Sequence, residues 1–124
     1  MPGRKLLIID DNELVCRAVG RIIKTHEVIT ALTGEVALEA LTSGDVGMVL
    51  VDNELGDYPT RWSSGIALSM EILARYPQLD GRVYLFTGRL ASSFAESAPG
   101  LPVVEKPILD TAKFRAFVAD TLGD

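Results

Sequence analysis

Short apolar runs alternate with longer amphipathic segments along the chain. The runs are rich in Val, Ile and Leu, and most lack alternating polar positions, which is typical of strands that are buried on both faces. In chain order they cover residues 6–9, 28–32, 48–51, 83–86 and 103–104, of which the run at 28–32 is the weakest. Five mostly buried strands are therefore predicted.

The segments between these runs repeat apolar residues with a period near 3.6, which predicts helices with one apolar stripe each. The stripes consist of Leu14, Val15, Ala18, Val19, Ile22 and Ile23; Val36, Ala37, Ala40 and Leu41; Ile66, Met70, Leu73 and Tyr76; and Leu109, Phe114, Phe117, Val118 and Leu122. The short, serine-rich segment 90–98 gives the weakest of the five helix predictions.

Five strands that alternate with five helices predict an α/β fold with a parallel sheet between helix layers. Right-handed crossovers restrict the topology further. We expect a doubly wound five-stranded parallel sheet of flavodoxin-like order 2-1-3-4-5, with helices on both faces. With 124 residues, of which 48% are apolar, residues 1–124 are expected to form a single domain, with no output domain in this chain.

Composition excludes several classes of function. The net charge of −5 disfavours nucleic acid as a direct partner. The single cysteine excludes an internal disulfide, and the single histidine excludes a multi-histidine zinc site. Purely apolar runs reach only four residues, far short of the roughly 20 needed to span a bilayer. We therefore expect a soluble, cytoplasmic protein without membrane insertion.

Polar residues follow four of the predicted strands. Asp10 and Asp11 end the first, Asp52 the third, Thr87 the fourth, and Lys106 the fifth. Ligands of open parallel sheets bind beyond the carboxyl ends of the strands. Each residue alone also has a structural explanation: Asp10 with Glu13 resembles a helix capping box, Asp52 and Thr87 fit turns, and Lys106 fits a solvated charge. Together they predict one crevice that holds three carboxylates, a hydroxyl and an ammonium group.

This combination of groups suits phosphoryl transfer. Clustered carboxylates repel one another unless a cation enters, and an oxygen-only cluster with few protein ligands suits Mg²⁺. A lysine supplies positive charge to an anionic group, and a threonine hydroxyl can donate to one of its oxygens. A carboxylate can act as the nucleophile.

At this level of detail the sequence resembles the receiver (phosphoacceptor) domain of bacterial two-component response regulators. The resemblance covers essentially the whole chain and is strongest in the segments Leu-Ile-Ile-Asp-Asp-Asn (7–12), Val-Leu-Val-Asp-Asn-Glu-Leu (49–55), Leu-Phe-Thr-Gly (85–88) and Glu-Lys-Pro (105–107). It implies a non-enzymatic signalling domain that promotes only its own phosphorylation and dephosphorylation. The phosphoryl donor would be a sensor histidine kinase or a histidine phosphotransfer protein, and the output a protein–protein contact with a downstream target.

The resemblance also assigns roles within the acidic part of the site. Asp52 would be the phosphoacceptor and a ligand of Mg²⁺. Asp11 would bind the metal directly, Asp10 would assist it, often through water, and the backbone carbonyl of Glu54 would be a further ligand.

Thr87 and Lys106 would contact the phosphoryl oxygens, and the bond before Pro107 would be cis. Val103 stands where many members of the family have a switch aromatic, which puts aromatic coupling to Thr87 in doubt.

Other departures from the family pattern leave alternatives open. Glu54 and Arg89 either form an ion pair over the pocket that alters phosphoryl lifetime or are independently solvated. The polar segment 53–63 is either a surface insertion with Trp62 folded onto the domain or a partner-contact loop or lid. Gly65, after this segment, matches the glycine that precedes the third helix in the family.

Two other functions compete with a phosphorylated receiver. A pseudo-receiver would keep the fold as an interaction module without accepting phosphate. An independent phosphatase with an aspartyl nucleophile would require an acid at position 12, where this chain has Asn12. Cys16 is expected to be a packing residue, and His26 a surface residue or a charge at a helix C-terminus.

Overall fold

Five parallel strands form one sheet in the computed structural model, which describes residues 4–53, 55, 64–88, 101–106 and 108–123. The strands are β1 (Lys5–Ile9), β2 (Val28–Ala31), β3 (Val46–Asp52), β4 (Val83–Thr87) and β5 (Val103–Glu105). The described helices are α1 (Glu13–Ile22), α2 (Gly34–Leu41), α3 (Gly65–Arg75) and α4 (Thr111–Leu122), with a 3₁₀ turn at Pro77–Leu79. The predicted helix at 90–98 lies outside the described residues.

The strand order is β2-β1-β3-β4-β5, and each neighbouring pair is parallel. This confirms the predicted flavodoxin-like order. The pairing register brings the carboxyl ends of the strands to one edge: Ile9 pairs with Val51, and Thr87 pairs with Glu105. Polar residues that follow these strands therefore start from neighbouring positions along the same edge.

Side chains that alternate along the strands enter two separate cores, because successive strand residues point to opposite faces. On one face, Leu7, Val49 and Leu85 pack in a cluster that includes residues of α2 and α3. On the other face, the buried cluster is formed by Leu6, Ile8, Met48, Leu50 and Phe86 with residues of α1 and α4. The two helix layers expected of a doubly wound fold are therefore both present.

The apolar stripe predicted for the first helix is partly wrong. The buried residues of α1 are Cys16 and Val19, and Ile23 follows in the same cluster, whereas the Leu14 side chain is 71% exposed and Ala18 is exposed. Leu14 and Ala18 each lie two residues from Cys16, about 200° around the helix at 3.6 residues per turn. They therefore face away from the sheet.

Three other predicted stripe residues are also exposed. Val36 and Met70 lie on the outer sides of α2 and α3, whose buried residues include Ala37 and Leu68. Leu109 is 91% exposed and precedes the residue that caps α4, so it does not belong to that helix. Among the described helices, none is long and apolar enough to cross a membrane.

Candidate functional site

Three carboxylates meet at the carboxyl edge of the sheet. Asp10 is fully buried directly after β1, Asp52 is the last residue of β3 and is 8% exposed, and Asp11 is exposed. One carboxylate oxygen of each lies within 4.8 Å of the others. The structure therefore brings together the three acids that the strand ends predicted.

Lys106 bridges two of these acids. Its Nζ donates hydrogen bonds to Asp10 Oδ2 at 2.9 Å and to Asp52 Oδ1 at 3.1 Å. Burial by itself would lower the pKa of this ammonium group. The hydrogen bonds and charges of Asp10 and Asp52 outweigh burial and hold the pKa above its ordinary value. Lys106 is therefore a permanent cation at neutral pH.

Thr87 is buried at the end of β4, where it pairs with Glu105, the residue before the lysine. Its carbonyl accepts a hydrogen bond from the backbone N–H of Lys106 at 3.0 Å, which ties the end of β4 to the residue that follows β5. In the register, Phe86 pairs with Asp52, so Thr87 lies one step beyond the acid on the neighbouring strand. The hydroxyl-bearing residue is thus at the same edge as the carboxylates and the ammonium group.

Asp10 is fixed by local backbone contacts as well as by the lysine. Its Oδ1 accepts a hydrogen bond from the N–H of Asn12 at 2.9 Å, and Asn12 Oδ1 in turn accepts from the N–H of Leu14 at 3.0 Å. Asn12 is therefore the N-cap of α1, and the capping box of Asp10 with Glu13 is wrong. The pattern Asp-Asp-Asn before a helix contained this cap, which sequence reasoning missed because it considered only the acid.

The donor set of this cluster fits a hard divalent cation. Mg²⁺ prefers oxygen ligands and is commonly held by one or two carboxylates together with water and phosphate oxygens. Two buried acids and one exposed acid, with oxygens close enough to share an ion, provide those ligands on a side that solvent reaches. The acidic cluster is therefore consistent with a magnesium site of the kind typical of receiver domains.

Several sequence-based expectations fall outside the described residues. They concern the Glu54 carbonyl, the ion pair of Glu54 with Arg89, the position of Trp62, and the cis bond before Pro107. These expectations stay predictions.

Cys16 is a buried packing residue, as predicted, and its thiol donates to the carbonyl of Asp10 at 3.6 Å. Burial and then the negative charge of Asp10 raise the pKa of Cys16 to about 11.

His26 is partly buried between α1 and β2, at the other end of the strands from the acids. Its Nδ1 lies 2.9 Å from Thr25 Oγ1.

Curated proteins and solved structures resemble this chain. No family model matches the chain. Among curated proteins, the aerobic respiration control sensor protein ArcB of Escherichia coli and that of Shigella flexneri are each 30% identical over 82 residues. The match covers 64% of this chain, and the chain spans only about a tenth of the length of these relatives.

Solved structures match over nearly the whole chain. The receiver domain of NtrX from Brucella abortus superposes with a TM-score of 0.77 at 26% identity, covering 94% of this chain and 97% of that one. The BeF3-activated DrrB receiver domain gives a TM-score of 0.75 at 25% identity, covering 98% and 99%. Over nearly its whole length, the chain is therefore similar to response regulator receiver domains. The chain carries its acids, hydroxyl-bearing residue and lysine at the edge of the sheet described above.

Proposed function

We propose that this receiver domain accepts a phosphoryl group on Asp52 from a phosphohistidine of a sensor histidine kinase or a histidine phosphotransfer protein. The observation that carries the proposal is the position of the Asp52 carboxylate. It lies at the end of a buried strand, within 4.8 Å of two other acids and 3.1 Å from the Lys106 ammonium group. Such a carboxylate is held in one orientation, which favours in-line attack on phosphorus.

In the proposed reaction, a carboxylate oxygen of Asp52 forms a bond to phosphorus while the bond from phosphorus to the histidine nitrogen breaks. The electron pair of that bond returns to the imidazole nitrogen. A phosphohistidine that is protonated on its other ring nitrogen leaves as neutral imidazole, and an unprotonated one takes a proton from water as it leaves. Asp10, Asp11 and Asp52 would hold Mg²⁺, with the Glu54 carbonyl as a further proposed ligand. When bound, the ion would neutralise charge that develops on the phosphoryl oxygens.

Lys106 and Thr87 would act on the product. In the unphosphorylated protein, the ammonium group bridges Asp10 and Asp52. After phosphorylation, it would contact one of the phosphoryl oxygens. The Thr87 hydroxyl would donate to another oxygen, and the accompanying movement would bias a two-state equilibrium that a partner protein reads. We further propose that residues 1–124 form one receiver domain, that it works in the cytoplasm, and that its output is a protein–protein contact.

Intact-mass spectrometry tests the acceptor. The protein is incubated with Mg²⁺ and either acetyl phosphate or phosphoramidate, whose nitrogen–phosphorus bond resembles that of phosphohistidine. We expect a mass increase of one phosphoryl group that disappears with EDTA and in the Asp52→Asn variant. Labelling that persists in Asp52→Asn would overturn the assignment of the acceptor.

The same experiment separates the proposal from a pseudo-receiver. A pseudo-receiver would retain the fold but gain no mass from either donor, and it would bind no beryllofluoride, a tetrahedral stand-in for the phosphoryl group. Failure of both donors and of beryllofluoride in the folded wild-type protein would therefore favour an interaction module that is not phosphorylated.

A further inference from the structure

The first residue of α3 lies directly against the backbone of the proposed phosphoacceptor. A Cβ atom built on Gly65 would lie 2.8 Å from the Asn53 Cα and from the carbonyl carbon of Asp52, and closer still to the Asp52 carbonyl oxygen. Carbon atoms pack best at about 3.5–4.0 Å, so no side chain fits there without a movement of the backbone.

Space, rather than backbone conformation, requires glycine at this position. Among the described residues, the glycines with positive φ are Gly44, Gly81 and Gly123, and Gly65 does not belong to this group. Gly88, also at the carboxyl edge of the sheet, would place its Cβ 3.5 Å from the Lys106 carbonyl oxygen, which is an ordinary contact. Of these two glycines, Gly65 is the one that lies too close to the neighbouring backbone to accommodate a Cβ atom.

Hydrogen bonds hold the same turn in place. The N–H of Gly65 donates to the Asn53 carbonyl at 2.8 Å. The fully buried Ser69 hydroxyl donates to the Gly65 carbonyl at 2.7 Å. Ser64 caps the helix by accepting from the N–H of Ala67 at 3.2 Å. These bonds seat the start of α3 on the peptide that joins Asp52 to Asn53.

We infer that Gly65 is a positioning residue for the Asp52 carboxylate. Because position 65 has no side chain, the start of α3 packs directly against the Asp52–Asn53 peptide. This packing fixes the position of Asp52 relative to Asp10, Asp11 and Lys106. Mg²⁺ demands near-ideal geometry at about 2.0–2.1 Å from each ligand, so a displacement of Asp52 weakens the site even though Gly65 touches no ion. This inference rests on the proposed function, because it assumes that Asp52 holds the metal and accepts the phosphoryl group.

The test compares Gly65→Ala with Gly20→Ala. Gly20 lies in α1, and a Cβ there would meet nothing within 4 Å. Mg²⁺ affinity is measured by calorimetry at a temperature where melting curves show each variant to be fully folded, and the phosphorylation rate is measured with acetyl phosphate. For Gly65→Ala we expect the magnesium dissociation constant to rise about tenfold and the phosphorylation rate to fall about 100-fold. Gly20→Ala should match the wild-type protein in both.

The magnesium dissociation constant of folded protein is a readout that a purely structural role would not move. If Gly65→Ala lowers the melting temperature but leaves the dissociation constant and the rate at wild-type values, the inference is overturned. Should Gly65→Ala not fold, Ser69→Ala decides: a smaller rise of the dissociation constant, about threefold for the loss of one buried hydrogen bond, supports positioning by α3, and an unchanged constant overturns it.

The wild-type protein distinguishes the two proposals. Wild-type protein that neither binds Mg²⁺ nor accepts a phosphoryl group would defeat the proposed function itself. Wild-type protein that does both, beside an indistinguishable Gly65→Ala, would defeat only the role of Gly65.

Discussion

At the scale of single residues, Lys106 compensates the acids at the edge of the sheet. Asp10 is fully buried, and a buried carboxylate is costly unless it is paired and hydrogen-bonded. Asp10 accepts from the Asn12 N–H on one oxygen and from the lysine on the other. Because Lys106 also donates to Asp52, one ammonium group stabilises two acids that otherwise repel each other.

We therefore expect Lys106→Met to lower the free energy of unfolding by about 2 kcal/mol at pH 7 without Mg²⁺, since two nearly buried carboxylates lose a charged donor. Denaturation in urea measures the change. Added Mg²⁺ should restore part of it, because the ion supplies the missing positive charge. Lys113→Met, at an exposed position of α4, is the control and should change stability little. Equal stability of the two variants would show that the bridge does not contribute to the free energy of unfolding.

At the scale of elements, side-chain caps define where the helices begin. Each described α-helix starts after a residue whose side chain accepts from a backbone N–H of the first turn: Asn12, Thr33, Ser64 and Asp110. Such caps satisfy donors that have no partner within the helix. Since helix starts adjoin the site edge, capping also sets where the loops around the site end.

The cap of α2 offers a clean test, because Thr33 belongs to the β2–α2 connection and takes no part in the acidic cluster. Its Oγ1 accepts from the N–H of Val36 at 3.2 Å. Thr33→Ala should lower the free energy of unfolding by about 1 kcal/mol. Thr33→Ser should lower it much less, because the serine hydroxyl can accept the same hydrogen bond. Chemical denaturation checks both variants. A Thr33→Ser variant as unstable as Thr33→Ala would mean that the methyl group, and not the hydroxyl, matters here.

Periodicity predicts most of the helices and strands, and the errors of this prediction have local causes. β3 starts at Val46 instead of the predicted position 48, because Gly47 interrupts the apolar run although it is buried in the sheet. Periodicity also places Leu14 on the buried stripe of α1, because apolar residues there are frequent enough to suggest more than one stripe. Only packing against the sheet selects Cys16 and Val19.

For the site, strand ends sufficed to predict the convergence of the acids with Lys106, because the carboxyl ends of parallel strands share one edge. The details depend on side-chain choices that spacing does not determine. Asn12 rather than the acid caps α1, and one lysine serves both Asp10 and Asp52. The close approach of Gly65 depends on how α3 returns to the sheet, which no local pattern encodes.

At the scale of the whole molecule, the packed sheet controls the ionisation of Cys16. The thiol is 2% exposed in the core that the sheet forms with α1 and α4, and burial followed by the charge of Asp10 raises its pKa to about 11. In the unfolded chain the thiol titrates near its ordinary value of about 8.5. Global stability is therefore linked to pH on the alkaline side.

The sign of this linkage follows from the raised pKa. Below about pH 8.5 both states hold the proton and the contribution is complete. Between there and about pH 11 only the folded state keeps it, so the free energy of unfolding should fall by up to about 1.4 kcal/mol per pH unit. Urea denaturation from pH 7 to 10 measures this slope, which Cys16→Ala should reduce by at least half. A slope unchanged by Cys16→Ala would assign the alkaline loss to other groups.

The bridge between Lys106 and Asp10 joins residues that are 96 positions apart. During synthesis, the acids therefore leave the ribosome long before the lysine does. Until then, Asp10 and Asp52 lack the ammonium group that bridges them in the folded chain. The bridged pocket can form only in chains whose translation has passed residue 106, so a partner that recognises the bridged arrangement selects for such chains.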